Sequence, residues 1–82
     1  MPPVHVVLYS RPGCHLCDEA RAFLEAERAR TSFELEELDI EADVELVKEY
    51  GIRIPVVVID GVERFEISVD PDEFTRIVSG SL

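Results

Sequence analysis

The chain has 82 residues, 46% of them hydrophobic and 32% charged, with eight Lys or Arg against eighteen Asp or Glu for a net charge of −10. That balance excludes intrinsic disorder and a membrane span, and the length suffices for a single domain over residues 1–82 that buries about 60 to 70% of its unfolded surface. So negative a charge disfavours nucleic acid and anionic membrane surfaces as partners, because both would be repelled.

At the start, Met1-Pro2-Pro3-Val4-His5 carries no basic stretch, and the apolar segment behind it is too short for a signal-peptide core, so a cytoplasmic protein is expected. Val4-His5-Val6-Val7-Leu8-Tyr9 is β-branched and aromatic with apolar residues on both faces, the pattern of an interior strand in a covered sheet. Ser10-Arg11-Pro12-Gly13 breaks it. Beyond the break, Leu16, Ala20, Phe23 and Leu24 recur at helical spacing, and Arg28 and Arg30 suit the negative end of a helix dipole. A helix over 14–28 is predicted.

Phe33 and Leu35 alternate with Glu34 and Glu36, but the alternation slips by one before Leu38 and Ile40, which predicts a strand with a bulge or an early end. Leu46, Val47 and Tyr50 share one face of a short helix, with Asp43 as its cap and Gly51 at its end. Pro55-Val56-Val57-Val58-Ile59 reads as a second buried strand, and Asp60-Gly61 joins it in an antiparallel hairpin to a strand over 62–67. Asp70-Pro71-Asp72-Glu73 then supplies an N-cap, a proline at the first helical position and a capping-box glutamate, followed by the apolar stripe Phe74, Ile77, Val78. Phe23, Phe33 and Phe74 are expected in the core. The order strand, helix, strand, helix, strand, strand, helix asks for a parallel βαβ unit followed by a hairpin, which is the order of the thioredoxin fold.

Cys14-His15-Leu16-Cys17 falls where the first strand gives way to the first helix. Two cysteines three positions apart in a chain read as cytoplasmic point to redox or metal chemistry, and a disulfide closing so short a loop is worth only about 2 kcal/mol as a staple. At the helix N-terminus the Cys14 sulfur lies near unsatisfied N–H groups, which favour the thiolate, the species that attacks disulfides. Cys17, one turn on and facing inward, is the expected resolving thiol. An imidazolium on His15 would stabilise the Cys14 anion, or His15 simply faces solvent; Asp18 and Glu19 complement the dipole but oppose a second negative charge.

Tyr9-Ser10-Arg11-Pro12-Gly13-Cys14-His15-Leu16-Cys17 resembles the Tyr-Ser-Lys-x-x-Cys-x-x-Cys stretch of the glutaredoxin family, above all glutaredoxin-like proteins with a Cys-x-Leu-Cys-Asp element. Ile54-Pro55, followed by a strand and Asp60-Gly61, is similar to that family's Val-Pro segment. The likeness spans almost the whole chain. It implies an α/β thioredoxin fold (βαβαββα), a mixed four-stranded sheet covered by three helices. It also implies thiol–disulfide oxidoreductase activity through Cys14 and Cys17, with no bound cofactor and with glutathione as a co-substrate. The Ile54-Pro55 bond is then expected to be cis and to face the cysteines, and substrate contacts fall to Arg11, Pro12, His15, Ile54, Pro55 and Asp70. Arg11 would take a substrate carboxylate, with Arg53 a weaker candidate. The implied partners are a protein or peptide disulfide and an electron donor, either a reductase or glutathione.

The sequence departs from the family after the hairpin. Where glutaredoxins place a Gly-Gly turn and an acidic pair for the γ-glutamyl end of glutathione, this chain has Phe65-Glu66-Ile67-Ser68-Val69-Asp70, with only Asp70 as a counterpart. Weak glutathione binding is therefore expected. Two alternatives stand beside the enzyme. The first is a metal or iron–sulfur module, for which the chain offers His5 and His15 besides the cysteines, at spacings unlike a zinc ribbon or finger. The second is a non-catalytic thioredoxin-fold domain that grips a partner.

Overall fold

The computed structural model describes residues 3–80; Met1 and Pro2, part of the segment read for export signals, lie outside it, as do Ser81 and Leu82. The elements are β1 (His5–Ser10), α1 (His15–Arg28), β2 (Glu34–Asp39), a single 3-10 turn (Ile40–Ala42), α2 (Val44–Tyr50), β3 (Val56–Ile59), β4 (Val62–Glu66) and α3 (Pro71–Ser79). Apart from the 3-10 turn, this is the predicted order. The sheet runs β2-β1-β3-β4, with β1 parallel to β2 and antiparallel to β3, and β3 antiparallel to β4. The chain has the thioredoxin fold.

Alternation along β1 assigns the two faces of the sheet. Val6 and Leu8 are buried with Val57 and Ile59 of β3 beneath Ala20 and Leu24 of α1 and Phe74 and Val78 of α3. Phe74 anchors that layer, meeting Phe23 and Phe33 edge-on with ring centroids 5.5 Å away in each case. On the opposite face Tyr9 stacks on Tyr50 of α2 at 4.3 Å, and the Arg53 guanidinium lies 5.3 Å from the Tyr50 ring centre. No residue of α2 is fully buried, so this second layer is the thinner one.

Of the bulge or early end expected in β2, the bulge is absent and the strand stops at Asp39, one residue before Ile40. Its register with β1 is unbroken from His5 opposite Glu34 to Ser10 opposite Asp39. The slip in hydrophobicity is a change of face: Leu35 packs on the main core, and Leu38, three residues on, points to the other side, which α2 covers. A bulge occurs instead in the hairpin between Val57 and Val58, where β4 carries Arg64 as an extra residue. The hairpin turn itself follows the sequence, with Asp60 and Gly61 at φ 50° and 82°, the paired left-handed conformation of a type I′ turn.

Helix α3 starts as predicted on Asp70, whose Oδ1 accepts the amides of Asp72 at 3.0 Å and Glu73 at 3.2 Å. The Glu73 carboxylate turns to Arg76 instead of completing a capping box. Asp70→Ala is expected to cost about 1 kcal/mol and to lower the melting temperature by roughly 4–8 °C, readable by thermal denaturation. A change below about 1 °C would show that the cap contributes nothing.

Candidate active site

Strand β1 delivers the chain to the site and a short loop reverses it. Gly13, at φ +79°, takes the left-handed turn that leads into α1. Cys14 is the N-cap of α1: its Sγ accepts the Cys17 amide at 3.1 Å, and its carbonyl accepts the Asp18 amide at 3.1 Å. Cys14 and Cys17 are joined as a disulfide with Cα atoms 5.1 Å apart. The two sulfurs differ in access, because Cys14 is half-buried while Cys17 is wholly buried. An incoming thiol or disulfide can reach only the first.

The charges beside the pair are joined in one cluster. Arg21 holds both carboxylate oxygens of Glu37 on β2 at 2.6 to 3.0 Å and reaches Asp18 at 2.7 Å, so one cation is shared by two carboxylates and the Asp18 charge set against a Cys14 thiolate is offset only in part. Buried Ser10 donates its hydroxyl to Glu37 at 2.6 Å. The hydrogen bonds from Arg21, with that of Ser10, hold the Glu37 carboxyl below its ordinary range against the opposing effect of burial. With its pKa lowered, the Glu37 contribution is present above the usual carboxylate range and is lost as pH falls through the depressed value. Arg21 and Glu37 did not emerge from the sequence. Asp18 and Arg21 at i, i+3 were a local hint, but Glu37 meets Arg21 only through the β1–β2 register.

The sequence-derived contacts separate into two groups. His15 is an outward residue, with its ring Nε2 3.0 Å from Glu19 and its side chain 87% exposed, so the solvent-facing reading describes it. Arg11 is already engaged, with Nε and Nη2 on the same Glu41 oxygen at 3.0 and 2.9 Å. Together with exposed Pro12 and the Glu37 cluster it borders a cleft of about 330 Å³. Asp70 is occupied with capping α3. Arg53 is tied to Glu63, Glu66 and the Glu49 carbonyl.

Ile54-Pro55 is cis, and Pro55 is buried. Val56 pairs with Tyr9, so Pro55 stands level with Ser10, at the end of the sheet from which the Cys14 loop departs. The carbonyls of Pro55 and Arg53 both accept the Ile67 amide, at 2.8 and 3.1 Å. Ile67 thereby sits at φ +72°, a left-handed conformation that costs a β-branched residue roughly 1–2 kcal/mol. The turn that the sequence lacked as glycines is thus made by an isoleucine, and no local signal announced it.

His5, the remaining nitrogen ligand, begins β1 and faces Glu34 and Glu36, at the far end of the strand from the cysteines. Among the described residues no group of three or more His, Cys, Asp and Glu is placed to hold a metal ion. Also among them, no helix is long and apolar enough to cross a membrane.

The family pattern described as a glutaredoxin-like domain (DUF836) matches residues 5–78. The chain belongs to this glutaredoxin-like family. Solved structures agree with the assignment. The glutaredoxin-like domain is similar to the solution structure of protein Ne2328 from Nitrosomonas europaea, with 32% identity over 94% of this chain and 93% of that one and a TM-score of 0.80. A target protein from X. campestris, XcR50, is 29% identical over 92% and 96% of the two chains, with a TM-score of 0.73. A mutant thioredoxin from Halobacterium salinarum, 20% identical over 96% of this chain and 74% of that one, shares the fold with a TM-score of 0.71. No curated protein matches the chain. The fold together with the Cys14–Cys17 pair supports a redox-type function.

Proposed function

We propose that this glutaredoxin-like domain is a dithiol–disulfide oxidoreductase acting on polypeptide disulfides. The observation that carries the reading is the asymmetry of the pair at the start of α1: one accessible sulfur receiving a backbone N–H, one buried sulfur directly behind it. The N–H groups of a helix N-terminus stabilise negative charge, so in the reduced form Cys14 is the thiolate.

The Cys14 thiolate attacks one sulfur of the substrate disulfide. A Cys14–substrate disulfide forms, the substrate S–S bond breaks, and the departing sulfur takes up a proton. Cys17 then loses its proton and attacks the Cys14 sulfur, which expels the second substrate thiol and leaves the Cys14–Cys17 disulfide. Two electrons have passed to the substrate. A reductase or glutathione returns them to the pair, as suits a protein working in a reducing compartment such as the cytoplasm. The exchange needs no resident cofactor, and an extended substrate would pair with the backbone groups of Ile54.

The test is the pH dependence of alkylation in the reduced protein, read by peptide mass, alongside turnover of a protein disulfide. Cys14 is expected to react with a midpoint below the ~8.5 of a free cysteine, while Cys17 stays unlabelled at neutral pH. Equal labelling of the two thiols, or a fully alkylatable Cys14 with no disulfide turnover, would sink the proposal.

A further inference from the structure

A second feature shares Leu16 with the turn that carries the redox pair. Leu16, in the same helical turn as the cysteines, and Ile67 are both large apolar residues left 44% and 43% exposed. They border a groove that also draws on Phe23 and Val69, with a volume of about 200 Å³. That is below the usual 300–1,000 Å³ of a small-molecule site, and it suits a single side chain. We propose that this groove is a specificity subsite that receives one apolar side chain next to the reacting cysteine of a basic polypeptide disulfide. The inference rests on the oxidoreductase reading and names its substrate class.

Two observations converge on that occupant. The groove takes Leu16 as a lining residue, and Leu16 stands between Cys14 and Cys17 in the chain, so the side chain the groove is proposed to seat is that of the residue flanking a substrate cysteine held on Cys14. Charge selects the rest of the substrate: among the described lining residues Glu19 is charged and none is cationic, Asp70 stands between the lining residues Val69 and Pro71, and the whole chain carries −10. Ile67 supplies the reason to favour side-chain recognition over mere backbone shape. A glycine would adopt φ +72° without strain, yet the position holds an isoleucine whose side chain is largely outside the core.

The test compares two synthetic disulfide peptides bearing two arginines each, identical except for leucine or serine beside the cysteine. The wild-type domain is expected to show a kcat/KM about tenfold higher for the leucine peptide, and Ile67→Gly to shrink that ratio to within about twofold with no fall in melting temperature. Exchanging the arginines for glutamates in the leucine peptide is expected to lower kcat/KM by at least about tenfold at low salt. Equal wild-type rates for leucine and serine peptides would overturn the subsite while leaving the oxidoreductase reading intact. Turnover of neither peptide defeats both. Concentration-dependent dimerisation of the wild type that Ile67→Gly abolishes would assign the groove to a second copy of the chain and overturn the proposal.

Discussion

Replacing Cys14 by serine is expected to reduce disulfide exchange by a factor on the order of 10³ or more, whereas Cys17→Ser is expected to keep the first half of the reaction and stall after it. The contrast follows from access. Cys14 presents the half-buried sulfur at the head of α1, and Cys17 has no exposure through which a substrate sulfur could approach. Serine is a strong N-cap, so in Cys14→Ser its hydroxyl can accept the Cys17 amide as the sulfur does at 3.1 Å. The variant should keep its fold, and the loss can be read as chemistry. In Cys17→Ser the attacking thiol remains but nothing releases the product, so a covalent Cys14–substrate species accumulates until an external thiol is added. Intact mass under non-reducing conditions detects it. A Cys14→Ser protein that retains a tenth of wild-type turnover, or that traps substrate on Cys17 as fast as the other variant does on Cys14, would reverse or remove the assigned roles.

What the sequence disclosed was what local chemistry decides. The strand-to-helix junction at Ser10-Arg11-Pro12-Gly13, the Asp60-Gly61 turn and the Asp70-Pro71 helix start each depend on a few adjacent residues, and all stand where they were expected. The cysteine pair was legible for the same reason, since a C-x-x-C placed on that junction is itself a local arrangement. What stayed hidden was set by tertiary register. The phase slip at Leu38 looked like a bulge because one sequence does not say that two faces of the sheet are covered by different helices. Arg21 and Glu37, sixteen residues apart, meet only because β2 runs parallel to β1 beneath α1. Ile67 is a residue that local propensity sends to a strand, and two carbonyls from the Arg53 and Pro55 segment override that preference.

A polypeptide disulfide is expected to exceed the glutathione mixed disulfide in kcat/KM by at least about tenfold, a difference of 1.4 kcal/mol in transition-state stabilisation. A free tripeptide brings little apolar area to offset its lost motional freedom, so its two carboxylates must be met by positioned cations or N–H groups. Arg11, the residue that would serve one of them, already has both Nε and Nη2 on Glu41. At the other end Asp70 is a negative group engaged with the α3 amides, and the left-handed turn carries the Ile67 side chain where a glycine would leave the backbone open. An extended polypeptide is expected to lose less, because main-chain pairing beside Ile54 would add affinity over several residues. The two substrates must be compared at matched ionic strength, since a chain of charge −10 repels the anionic tripeptide most at low salt. Glu41→Gln separates the causes. If Arg11 is withheld by its internal partner, freeing it should raise the glutathione rate by about two- to fivefold, the worth of an exposed ion pair, and leave the polypeptide ahead. A glutathione mixed disulfide turned over faster than the polypeptide by the unmodified protein would mean that the Ile67 turn receives the tripeptide as a glycine turn does, and that the blocked Arg11 is not what limits it.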